Sequence, residues 1–149
     1  MSVETLVDFL RRRRDPDASS DLRDEWTAAI DALLGQMCDW LKPALDEGLL
    51  DVEISKVTIG EPALGTYDAS VLRIRTSWQD VFVQPVSRVV LGGSGRLDVG
   101  SGPRRMVVTR CPDKSRWVVS STNPSDDGQP LTEESFTTTL RHLLELSGI

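Results

Sequence analysis

Apolar residues recur along this chain with two different periods, and the change of period divides it into three parts. Val3, Leu6, Val7 and Leu10 stand at i, i+3, i+4 and i+7, the stripe of a short amphipathic helix over 2–12. Pro16 disfavours helix at Asp15, and the Ser/Asp cluster over 15–21 offers a new N-cap. A longer helix is expected from about Leu22 to 47, where Leu22, Trp26, Ala29, Ile30, Leu33, Met37, Trp40, Leu41 and Ala44 keep a helical period. Pro43 should kink or restart it, because a helix interior needs the missing N–H. Gly48 should stop it.

The period then shortens to two. Residues 49–60 are rich in β-branched side chains and alternate, with a phase slip near Lys56 that predicts a bulge. Residues 61–68 read as a loop. Residues 69–77 set Leu72 and Ile74 against Arg73 and Arg75. Further short strands are predicted over 81–93, 95–99, 104–111 and 116–121. Pro85 should put part of its segment at an edge or a bulge. Strands this close together leave no room for crossover helices, so the sheet should be an antiparallel meander of about five to seven strands. Residues 121–130 read as a polar loop. Thr132 then N-caps a last helix over 131–147, with Glu133 and Glu134 in its first turn and Phe136, Leu140, Leu143 and Leu144 inward.

The expected fold is therefore α+β. A single domain holds a helical part (1–48), an antiparallel meander sheet (49–121) and a C-terminal helix (131–147), with two N-terminal helices and one C-terminal helix packed on the sheet. Trp26, Ile30, Leu33, Met37, Leu72, Ile74, Val108, Trp117, Phe136 and Leu140 should be buried. A length of 149 residues with 39% hydrophobic and 27% charged residues suits one domain of ordinary globular composition. No run reaches the roughly 18 apolar residues of a membrane span. The basic run 11–14 follows the apolar stretch instead of preceding it, unlike a signal peptide, so a cytoplasmic location is expected. There Cys38 and Cys111 should be reduced.

The net charge of −6 conceals a layered distribution. Residues 1–68 carry 7 basic and 15 acidic side chains, residues 69–120 carry 9 and 3, and residues 121–149 carry 1 and 5. The middle is basic between two acidic ends, which either neutralise it within the fold or leave it as a patch for a partner. The arginine run 11–14 is flanked by Asp8, Asp15 and Asp17, so nucleic-acid binding is not expected from it.

Most candidate chemistry falls away on spacing. Residues 92–103 hold five glycines, but Asp98 stands where the third glycine of a dinucleotide fingerprint belongs, and Ser101 where a P-loop has lysine. A strand follows them rather than a helix, so tight turns explain the glycines. His142 is the only histidine, and with two distant cysteines it makes a poor zinc set. A Cys–His nucleophile pair is weaker than a helix-end role for His142. The pairs Asp126–Asp127 and Glu133–Glu134 fall in a polar loop and a helix start, not in the apolar setting that raises a carboxyl pKa for acid catalysis. No cofactor, metal or catalytic group is predicted.

The remaining signal lies in the basic middle. Arg73 and Arg75, two apart, share one face of a strand, and Leu72 and Ile74 point the other way. Arg88, Arg96, Arg104, Arg105, Arg110 and Arg116 are spread over neighbouring strands. Aligned guanidiniums suit carboxylates or phosphates, although a solvated face of paired charges uses the same residues. Trp78, at a turn, suits either a contact surface or a cap on the core. The expected partner- or anion-binding residues are Arg73, Arg75, Trp78, Arg96 and Arg105. The layout, with its last helix opening on "PLTEESF", resembles small bacterial α+β proteins without assigned activity, a likeness of pattern that carries over no functional residue. The expected function is an interaction or accessory protein that binds a protein partner, or itself, through the basic sheet face or an apolar helix face. The alternative is a small-molecule or anion-binding domain, which leaves room for an enzyme of unrecognised type.

Overall fold

Alternating β-branched stretches joined by short turns close into one seven-stranded sheet. The computed structural model describes residues 6–7, 16–90, 93–102, 104–122 and 128–147. Strands β1 (Asp51–Glu61), β2 (Gly65–Arg75), β3 (Asp80–Ser87), β4 (Arg96–Ser101), β5 (Arg104–Arg110), β6 (Trp117–Ser121) and β7 (Gln129–Pro130) lie in chain order. Every neighbouring pair is antiparallel, so the meander expected from the turn spacing is present. Helices α1 (Pro16–Asp46) and α2 (Glu133–Ser147) join the strands in one core. The described residues hold these two helices rather than three. The helix expected over 2–12 lies outside them except for Leu6 and Val7, which are helical and exposed.

The core forms where strand alternation meets the helix stripes. Leu72, Ile74, Val81, Val83, Leu97, Val99, Val108 and Val119 face Trp26, Ile30, Leu34, Met37, Phe136 and Leu140, all nearly inaccessible to water. Nine of the ten residues expected inside are buried, and Trp117 is half-buried against them. Both helices occupy this side. Strand residues of opposite phase, among them Arg73, Phe82, Gln84, Asp98 and Arg105, point from the other side, which no described helix covers.

Several local expectations are corrected. Helix α1 starts at Pro16, not near Leu22, because proline in a first turn loses no helix hydrogen bond. It also runs through Pro43 to Asp46. Pro43 falls in its last turn, where buried Leu41 and core-packed Leu45 still hold the chain to the core. Gly48 does end the helix. At φ +68 it donates to Leu45 O, and Leu49 donates to Ala44 O, each at 3.0 Å, a pattern that satisfies the last carbonyls. No bulge occurs near Lys56, since β1 and β2 pair without a break from Asp51↔Arg75 to Glu61↔Gly65. β1 is an edge strand exposed on most of its length, with Ile54 53% accessible, so burial does not enforce alternation there. The loop expected over 61–68 is a tight turn between these strands. The irregularity lies instead between Pro85 and Ser87, inside the sheet between β3 and β4. Residues 129–130, read as loop, pair with β6. Thr132 caps α2 as expected, accepting from Ser135 N–H at 3.2 Å, and Ser135 Oγ accepts in return from Thr132 N–H at 2.8 Å.

Candidate functional site: two grooves and two kinds of arginine

On the helix-free face, strand register decides what each arginine meets. Arg73 lies opposite Glu53 and Phe82, and Arg75 opposite Asp51 and Asp80. Arg73 donates through Nε to Asp80 Oδ2 at 2.8 Å, and its guanidinium sits 5.9 Å from the centre of the Phe82 ring. Arg75 approaches Glu53 only to 3.8 Å. Arg96 and Arg105 share Asp98, whose two oxygens accept at 3.0 and 3.4 Å. Asp98 is 6% exposed although no described helix covers it. Gly100 lies between Phe82 and Arg105 in register, and a Cβ there would stand 2.7 Å from Arg105 Cβ. The four arginines proposed from sequence therefore share one face, but each has a carboxylate beside it.

The fifth residue, Trp78, is separate. It lies at the β2–β3 turn, 57% exposed, and lines a groove of about 580 Å³ between the C-terminal half of α1 and α2. Leu41, Ala44, Leu50, Leu140 and Leu144 form the apolar lining, and the Arg141–Glu145 ion pair at 2.7 Å marks the rim. A second depression of about 530 Å³ shares Leu50 and continues past Leu49 to Arg75. Trp78 and Arg75 thus flank one continuous surface around Leu50.

Under the helices the polar groups are arranged differently. Arg110 has the strand phase of Val108, so alternation turns it inward. Its side chain is 3% exposed and binds both carboxylate oxygens of Glu25, at 2.6 and 2.8 Å. It also donates to Ser94 O at 2.9 and 3.1 Å. The guanidinium lies 5.2 Å from the Trp26 ring centre and 5.8 Å from that of Trp117, cation–π distances in a site largely screened from water. Arg88 and Lys114 reach the same Glu25 only at 3.8 Å. Arg110's hydrogen bond holds the Glu25 carboxyl below its ordinary pKa, against a smaller opposing effect of burial.

Glu61, unlike Glu25, is a buried acid, 8% exposed. It accepts from the Tyr67 hydroxyl, from Ser87 Oγ at 2.7 Å and from the Arg88 N–H at 3.0 Å. Burial pushes its pKa up, but the bonds from Tyr67, Ser87 and the backbone outweigh that and leave it below the ordinary value. Tyr67 is raised by burial and then by Glu61, and accepts from Trp26 Nε1 at 3.1 Å. Every oxygen of this chain of groups is engaged inside the fold, so it serves as an internal brace rather than an open catalytic pair.

The glycine stretch takes part in the same packing. Gly95, at φ +148, lies against Trp26, and a Cβ there would sit 2.2 Å from the indole ring. Close approach to that ring, beside the turn of φ +62 at Gly102, accounts for two of the glycines; residues 91–92 and 103 are outside the described residues. His142 is exposed, both cysteines are half-buried, and burial raises the Cys38 thiol. Among the described residues no three His, Cys, Asp or Glu side chains gather as a metal site would need, and no helix is long and apolar enough to cross a membrane.

Comparison with protein-family models, curated proteins and solved structures finds no match to this chain. Sequence reasoning missed Glu25, Glu61, Tyr67 and the inward turn of Arg110. For Arg110 the signal was present, two positions from Val108 on one strand.

Proposed function

We propose that this chain is a binding protein without catalytic chemistry, which takes an apolar segment of a protein partner into the groove between α1 and α2. The exposed indole of Trp78 beside that groove carries the reading, because large aromatics at the edge of apolar depressions anchor interfaces. Arg75 supplies the polar end of the surface. Its loose contact with Glu53 leaves the guanidinium able to pair with an acidic residue that follows the partner's apolar side chains. Arg73, Arg96 and Arg105 take a secondary part, since their own carboxylates already balance them and leave little field to steer a partner.

A photo-crosslinking residue placed at position 78 tests this in the native cytosol. The expected result is one dominant adduct whose yield falls roughly tenfold when Leu144→Asp is added and holds with Arg105→Gln. Equal yield in the Leu144→Asp protein, with its fold intact by circular dichroism, would overturn the groove as the binding site.

A further inference from the structure

A separate groove of about 420 Å³ opens between α1 and the β5–β6 hairpin, within the roughly 300–1,000 Å³ range of small-ligand sites. Its lining combines two chemistries. Leu33, Trp40 and Trp117 are apolar and aromatic, while Arg110, Lys114 and Arg116 are cationic. Ala29 and Ala32 keep the helix wall low.

The charge here is out of balance. Glu25 is the one carboxylate within 4 Å of the side-chain nitrogens of Arg88, Arg110 and Lys114 among the described residues, and Arg110 holds both of its oxygens. Lys114 remains 44% exposed. Arg116 is exposed, with no carboxylate within 4 Å among the described residues, and Asp113 feels its charge at longer range. Asp113, the remaining acid of the hairpin, turns back on Ser115, accepting from its N–H at 2.9 Å and its hydroxyl at 2.6 Å. That turn holds Lys114 at φ 65, so the hairpin presents its cations from a fixed backbone. An acidic chain has thus gathered more cations than carboxylates at the mouth of a groove lined by two indoles.

We infer that this groove binds an aromatic monoanion, a planar apolar body carrying one carboxylate or sulfonate. The ring lies against Trp40 and Trp117, and the anionic group meets Lys114 and Arg116. Arg110, locked by Glu25, contributes field without moving. Indole faces favour flat apolar rings, and ammonium and guanidinium groups favour the charge. The neutral groove beside Trp78 offers the ring a place but no cation pair, and this inference stands independently of the function proposed there.

Two fluorescent probes separate the sites. Anilinonaphthalene sulfonate carries the charge, and N-phenylnaphthylamine is its neutral counterpart. The intact protein should bind the sulfonate saturably at one site, with affinity that falls as salt rises. The Lys114→Asn, Arg116→Gln protein should lose roughly tenfold or more of that affinity while binding the neutral probe unchanged. Asparagine is chosen because it tolerates positive φ. Leu144→Asp should leave sulfonate binding alone. Absence of saturable sulfonate binding, or equal affinity in the double variant with an unchanged melting temperature, would remove the site. Should the double variant fail to fold, Arg116→Gln alone, at an exposed position, gives the same reading.

Discussion

The two faces of the sheet use the same residue types to different ends. Arg73 and Asp80 on the open face are 38% and 29% exposed, and water screens both partners whether or not they meet. Arg110 on the covered face is 3% exposed and has little water to return to. An exposed pair contributes about 0–1 kcal/mol, whereas stranding a buried charge costs several. Sequence counts both as an arginine near a carboxylate. Only the phase of the strand and the position of the helices tell them apart.

The sharpest test of this contrast is at the covered face. Trp26→Ala removes a fully buried indole, its bond to Tyr67 and one face of the Arg110 site, and should cost about 3–5 kcal/mol in urea unfolding. Next, Glu25→Ala leaves Arg110 without its carboxylate and should cost about 2–4 kcal/mol, somewhat reduced because Glu25 itself is partly open to water. Asp80→Ala on the open face, measured alongside, should cost under about 1 kcal/mol. Equal costs at Glu25 and Asp80 would erase the distinction.

Acid titration sharpens the comparison. Glu61 and Glu25 both have folded pKa values below the ordinary 4.5. The unfolded chain therefore binds protons first as pH falls, and stability that is fully present above about pH 5 is lost progressively below it. Glu61→Gln should flatten that acid limb, read as the midpoint of chemical unfolding against pH, and lower stability at neutral pH. Arg105→Gln gives the smallest effect. It should shift stability by under about 0.5 kcal/mol, because Arg96 still holds Asp98.

How much of this was legible depended on what enforces each pattern. Where one face of a strand is buried, alternation is strict, and Leu72, Ile74 and Val108 could be assigned inward from sequence. Where burial is slight, as along β1, where Val52 and Ile59 only partly pack on the core, the slip near Lys56 carried no structural meaning. The start of α1 was placed too late because the Ser/Asp cluster suggested a later cap, although proline fits a first turn; Pro43 misled because packing by the residues around it can carry a last turn past it. The open-face arginines could be grouped by spacing, but most of their partners needed the sheet: Asp80, opposite Arg75 in register, binds Arg73 instead, and Asp98 meets Arg105 from the neighbouring strand. The grooves needed the third dimension. Trp40 and Trp117 are far apart in sequence and share a cleft only because α1 borders the β5–β6 hairpin.

The meander also sets an order of assembly. Each strand pairs with the strand next to it in the chain, so short turns close the sheet at small entropic cost. The contact from Glu25 to Arg110 spans 85 residues, and it joins α1 to a part of the sheet that follows four strands later. Local pairing of this kind is fast and distant docking slow. The hairpins can therefore form while α1 is still undocked, and the seating of Trp26 between Gly95 and Arg110 is expected to come late in folding.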